Sequence, residues 1–115
     1  MSELLNICPV AVTLSLIEGK WKTLILRDLL EGKKRFGELQ RSVGNISQKV
    51  LTTQLRSLEA NGIVNRIAYA EIPPRVEYEL TEQGRTLHVV IDAMRIWGEA
   101  FQAQEREVSE LQEAP

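Results

Sequence analysis

Apolar residues recur along this chain in two rhythms, a helical one and an alternating one. Pro9 stands where a first helical residue is favoured and opens a segment in which Val10, Leu14 and Ile17 share a face; Gly19 closes it. Trp21, Leu24, Ile25 and Leu29 repeat at helical spacing and predict a second helix over Trp21 to Leu30, stopped by Gly32. Phe36, Leu39 and Val43 mark a short third helix entered at Gly37, and Gly44-Asn45 supplies a turn. A fourth helix has Ser47 as its N-cap, a stripe of Leu51, Leu55 and Leu58, and a stop at Asn61-Gly62. The rhythm then changes. Ile63 to Tyr69 is rich in β-branched residues, and Arg75 to Leu80 alternates Val76, Tyr78 and Leu80 with Arg75, Glu77 and Glu79. Pro73-Pro74 cannot occupy a central strand, so a two-stranded hairpin with a protruding tip at Ala70 to Pro74 is expected. Thr81 caps a last helix from about Glu82. Its apolar residues Leu87, Val90, Met94, Trp97 and Phe101 alternate three- and four-residue steps, and the register runs through Gln104 to Val108 and Leu111, the pattern of a helix–helix seam.

A leading helix, three core helices, a hairpin and a long helix predict a mainly α fold with a small β-hairpin: a winged helix-turn-helix with a long C-terminal dimerisation helix. In that arrangement the helix after the turn enters the major groove and the wing lies beside it. No linker or repeat divides the 115 residues, so one domain over 1–115 is expected, with 99–115 an acidic extension of the last helix. A chain of this size buries roughly two-thirds of its surface on folding and needs no metal or disulfide staple. Its one cysteine, Cys8, excludes an intrachain bridge and a zinc cluster. The uncharged stretch 4–17 is too short to span a bilayer and has no preceding Lys or Arg, so a cytoplasmic protein with no membrane partner is expected.

The net charge of −2 alone argues against a nucleic-acid partner, but the distribution reverses that reading. Lys20 to Arg66 holds ten basic residues against four acidic ones, while 99–115 is strongly acidic. Within the fourth helix, Gln48, Lys49, Thr52, Thr53, Gln54, Arg56 and Ser57 are all hydrogen-bonding types, and no acid occurs before Glu59. A solvated helix mixes both signs, so an acid-free face points to an anionic partner. Ser47, Gln48, Lys49, Thr52, Thr53 and Arg56 are therefore candidates for contact with double-stranded DNA, Gln48 for base edges, Lys49 and Arg56 for phosphate or guanine. Arg75, beside the wing tip, is a candidate for the minor groove or a phosphate. Lys20 and Lys22 oppose the positive end of the second helix and suit an external anion there.

These residues also carry a family resemblance. Cys8-Pro9-Val10, Gly19-Lys20-Trp21-Lys22, Arg35-Phe36, Ile46 to Thr52, Leu55 to Glu59, Gly62-Ile63-Val64 and Pro73 to Tyr78 with Leu80-Thr81 resemble the HxlR-type (DUF24, MarR-like) bacterial regulators from Cys8 to about Gly98. The resemblance implies a homodimeric DNA-binding transcription factor, often responsive to quinones, aldehydes or other thiol-reactive compounds through a cysteine at the position of Cys8. Several members use a second cysteine, which this chain lacks.

A homodimer is also expected because three short helices cannot cover the stripe of Leu87, Val90, Ile91, Met94, Trp97 and Phe101; help from the first helix is expected, with a pseudo-palindromic operator as the matching partner. Cys8, pushed by Pro9 into an extended conformation, is expected at the N-cap of the first helix with the amides of Val10 and Ala11 aimed at its sulfur, a setting that favours a thiolate. It is the candidate sensor of a small electrophile or oxidant. No nucleophile–base pair, metal spacing or phosphate loop is evident, so neither an enzyme nor a cofactor is expected. A winged-helix protein-interaction module and a small thiol redox enzyme are the alternatives.

Overall fold

The computed structural model describes residues 6–113. It contains α1 (Pro9–Ile17), α2 (Lys22–Leu29), β1 (Lys34–Arg35), α3 (Phe36–Val43), α4 (Gln48–Ala60), β2 (Val64–Tyr69), β3 (Arg75–Leu80), α5 (Glu82–Arg85) and α6 (His88–Glu113). Ile25 and Leu26 of α2, Leu39 of α3, and Leu51, Leu55 and Leu58 of α4 lose essentially all solvent contact. Ile17, Ile63, Val64, Tyr78, Leu80 and Ile91 complete one core, so α2, α3 and α4 contribute the stripes that their spacing marks out, whereas of the α1 stripe only Ile17 is buried.

Two expectations require correction. The sheet has three strands in the order β1-β3-β2, not two. Gly32, at φ 145°, turns the chain so that Lys34 and Arg35 lie opposite Tyr78 and Glu77 of β3. A two-residue strand carries no readable alternation, which is why periodicity misses it. The last helix is also broken. Thr81 does act as a cap, its Oγ1 accepting from the Gly84 amide at 2.9 Å, but α5 ends at Arg85 and the chain restarts as α6 at His88. The amides of Thr86 and Leu87 bond back to Gln83 and Gly84, a tight three-residue closure that changes direction without disturbing the apolar spacing.

The turn between α3 and α4 sets the angle of the fourth helix. Gly44 (φ 88°) and Asn45 (φ 43°) take left-handed backbone, buried Ile46 anchors the loop, and Gln40 Nε2 donates to the Ile46 carbonyl at 3.1 Å. Asp28, buried on α2, accepts from Ser42 Oγ of α3 at 2.7 Å and from Arg27 Nε at 2.8 Å. This is a charge-assisted brace between the helices that precede the turn. The Asp28 carboxylate also holds the Arg27 guanidinium more firmly charged than usual, against the opposing effect of burial.

The chain is not compact. Its radius of gyration is 17.5 Å, where a globule of this length has about 13 Å. α6, with 26 residues, is about 39 Å long and leaves the body after its first turns.

Candidate nucleic-acid interface

Ser47 starts α4, with Oγ accepting from the Val50 amide at 3.1 Å, and the leucine stripe presses one side of the helix into the core. The opposite side is left to solvent. Gln48, Lys49, Thr53 and Arg56 are exposed and Thr52 is half-buried, so these five candidates share one face over more than two turns. The hydroxyls of Thr52 and Thr53 donate to the carbonyls of Gln48 (2.8 Å) and Lys49 (3.0 Å). With that proton committed, each threonine offers outward only an acceptor lone pair and a methyl group, a combination suited to cytosine amino groups and thymine methyls.

This face forms one wall of an open groove of about 700 Å³ whose other wall is the sheet. Gln48, Lys49, Thr52, Thr53 and Arg56 line it from α4, and Arg66 lines it from β2. Lys49, Arg56 and Arg66 make no ion pair among the described residues, although Glu59 borders the same groove. Three cations without an ion-pair partner on facing walls give the groove a basic character.

Arg75 is not part of that groove. Its guanidinium lies 3.8 Å over the Tyr69 ring, with Nη2 2.9 Å from Glu71 Oε1 and Nη1 4.0 Å from Glu77 Oε2. Two carboxylates and an aromatic face hold the side chain against the wing. Glu77 is drawn below the ordinary glutamate range, first by a hydrogen bond from Tyr69, then, against partial desolvation, by Arg75, Lys33 and Arg35. Lys20 and Lys22 also lie outside the groove, at the start of α2, with Lys20 Nζ 4.6 Å from the Trp21 ring centre.

The expected dimer stripe divides in two. Ile91 is buried, and Leu87 and Val90 are partly buried against the core of their own chain. The break before α6 lays its first turn against α2, which accounts for their burial. Met94, Trp97 and Phe101 remain exposed, the last two stacked at 5.3 Å between ring centres. Val10 and Leu14 of α1 are exposed as well.

Cys8 is the N-cap residue of α1 with extended backbone (φ −51°, ψ 131°), as Pro9 dictates, and is solvent-exposed. Its side chain makes no capping hydrogen bond, so the expectation that helix amides converge on the sulfur is not met.

The profile of the HxlR-like helix-turn-helix family matches residues 16–106. The chain belongs to that family. The HxlR-like chain is 50% identical over 106 residues to the HTH-type transcriptional regulator YybR of Bacillus subtilis, covering 87% of this chain and 85% of YybR. Among solved structures it is similar to the redox regulator HypR in its reduced form, with TM-score 0.79, 48% identity, and 90% and 98% of the two chains covered. It is also similar to the reduced form of the transcriptional regulator YodB of Bacillus subtilis, with TM-score 0.72, 40% identity, and 83% and 94% covered. The HxlR-like chain is accordingly a transcriptional regulator of helix-turn-helix type with a MarR-like winged fold.

Arg66, which lines the groove, is not among the residues that the sequence of this HxlR-like protein singles out. The signal is the hairpin register, in which Arg66 lies opposite Tyr78 and shares the parity of Val64 and Leu80. A residue on that parity faces α4 rather than the far side of the sheet. No described helix is long and apolar enough to cross a membrane.

Proposed function

We propose that this regulator is a homodimer that binds a pseudo-palindromic DNA operator, inserting α4 of each subunit into successive major grooves about 34 Å apart. The observation that carries the reading is the α4 face of Gln48, Lys49, Thr52, Thr53 and Arg56, free of acids up to Glu59, standing opposite Arg66 across a groove with three unpaired cations. Gln48, Thr52 and Thr53 address base edges; Lys49, Arg56 and Arg66 address phosphate or guanine; Lys20 and Lys22 supply a further backbone contact at the start of α2.

Dimerisation is supported by the projecting α6 and by its exposed Met94, Trp97 and Phe101, which a second copy would cover together with Val10 and Leu14 of α1. Regulation through Cys8 by an electrophile or oxidant is supported by its exposure and by similarity to a redox regulator. With a single cysteine per chain, the modified form is an adduct, a mixed disulfide or a Cys8–Cys8 bridge between subunits. The reading makes the protein a cytoplasmic DNA-binding regulator, not an enzyme.

The test is selection of a duplex from random-sequence DNA by the purified protein, followed by titration of Lys49→Ala and Arg56→Ala across salt concentrations. Each substitution should weaken binding, and at least one should flatten the salt dependence by about one unit. Binding equal to wild type in the double variant refutes the placement of α4.

A further inference from the structure

Of the α4 side chains that line the groove, Gln48 ends in an amide, Lys49 and Arg56 end in cations, Glu59 stands last in the helix and Leu55 is buried. The methyl groups that α4 offers there are those of Thr52 and Thr53. Their placement is central. Lys49 lies about one helical turn before the pair and Arg56 about one turn after it. Two long cationic side chains therefore bracket a stretch where only short ones stand, and the helix can approach base edges most closely at that stretch.

The two hydroxyls are already oriented, Thr52 Oγ1 donating to the Gln48 carbonyl at 2.8 Å and Thr53 Oγ1 to the Lys49 carbonyl at 3.0 Å. A hydroxyl whose proton is committed to its own helix accepts outward and does not donate. Each threonine thus shows a partner one acceptor beside one methyl group. In the major groove cytosine shows an amino donor, and thymine shows a carbonyl acceptor beside its C5 methyl. A cytosine methylated at C5 shows the donor and the methyl together, which complements both features at once. Thymine matches the methyl but sets acceptor against acceptor, and unmodified cytosine matches the donor alone.

We propose that Thr52 and Thr53 make α4 a reader of the pyrimidine C5 methyl group, so that the protein binds an operator carrying 5-methylcytosine more tightly than the same operator carrying cytosine. The proposal rests on the DNA-binding reading of α4 and adds the chemical state of the DNA to what that helix distinguishes. A methyl contact carries no charge, so its effect on affinity is nearly independent of salt, unlike that of Lys49 or Arg56.

The experiment uses the purified protein and the tightest duplex from the random-sequence selection, and places the first perturbation on the DNA so that the protein is unchanged. At each pyrimidine of the half-sites in turn, thymine is exchanged for uracil opposite the same adenine, or cytosine for 5-methylcytosine opposite the same guanine. At one or more positions the methylated base should bind about fourfold more tightly per half-site, or about fifteenfold for a dimer reading two, with the salt slope unchanged. Thr52→Ser with Thr53→Ser keeps both hydroxyls and removes both methyls, and this double variant should bind methylated and unmethylated duplexes equally. Thr52→Val with Thr53→Val keeps the methyls, and the preference for the methylated base should survive. A methyl effect below twofold at every pyrimidine, or weaker binding to the methylated base, overturns the proposal while leaving the α4 reading intact. A methyl preference that persists in the double serine variant overturns it too, since another side chain then meets the methyl. Failure of the wild-type protein to select any duplex removes both readings.

Discussion

Replacing Gly84 with alanine reverses the usual effect of filling a helical glycine. By helix propensity alone the change stabilises by about 1 kcal/mol. In this fold the added Cβ would collide with the Ile63 carbonyl oxygen and lie 3.1 Å from the Ile63 carbonyl carbon and 3.3 Å from its Cγ2. Ile63 cannot easily yield. Its amide donates to Leu58 O at 2.9 Å, its carbonyl accepts from the Thr81 amide at 3.0 Å, and its side chain belongs to the core. Overpacking of this kind costs about 2 kcal/mol, and loss of the Thr81–Ile63 hydrogen bond about 1 kcal/mol more. Against the propensity gain, the net expectation is about 2 kcal/mol of destabilisation. Unfolding entropy near 2.1 cal/mol/K per residue gives about 0.24 kcal/mol/K for 115 residues, so Tm should fall by about 8 °C. The assay is thermal unfolding followed by circular dichroism at fixed protein concentration, with Gly37→Ala of α3 alongside. There the new methyl meets only Arg41 Nη1 at 3.5 Å, so Tm should stay level or rise slightly. A Tm for Gly84→Ala at or above wild type refutes the packing argument.

Trp97→Glu should shift the protein from dimer toward monomer in sedimentation at micromolar concentration, with the fold retained, because the side chain is 69% exposed within its own chain. Treatment with diamide should lower DNA affinity in wild type and spare Cys8→Ser, with intact mass recording the adduct; equal loss in both would remove Cys8 as the sensor. Because Glu77 is drawn below its ordinary value in the folded wing, its stabilising contribution is present above the unfolded value near 4.5 and is lost as pH falls through the lower folded value. Glu77→Gln should therefore flatten that part of an acid titration of stability while leaving the neutral-to-alkaline pH dependence unchanged.

Long apolar stripes were legible in the sequence because burial enforces them: Leu51, Leu55 and Leu58 had one possible side to face, and the opposite side of α4, free of acids up to Glu59, followed. The turn at Gly44-Asn45 and the caps at Ser47 and Thr81 were legible through local backbone chemistry. Contacts between elements distant in sequence were not. Nothing near Arg75 announces that Glu71, Glu77 and Tyr69 would capture it; that depends on which strand residues face each other. The seam from Leu87 to Phe101 reads as one continuous stripe, yet a change of direction at Thr86 and Leu87 hands its first half to the protein's own core. Arg66 was hidden because a charged residue in a short strand declares no face until the register is known.

The two-residue strand β1 has a consequence larger than its length. Arg35 pairs with Glu77 in the sheet, and its amide donates to Glu38 Oε1 at 2.9 Å as α3 begins. The wing and the helix-turn-helix thus share a residue, and neither can swing without pulling the other. Under the proposed function, each subunit would present its operator-reading parts as a single casting, like the bit of a key whose teeth keep a constant spacing. In the proposed dimer, control by an inducer would act on the separation and tilt of two such castings across the α6 seam, so the half-site sequence preferred by a subunit should stay constant while the preferred spacing between half-sites changes.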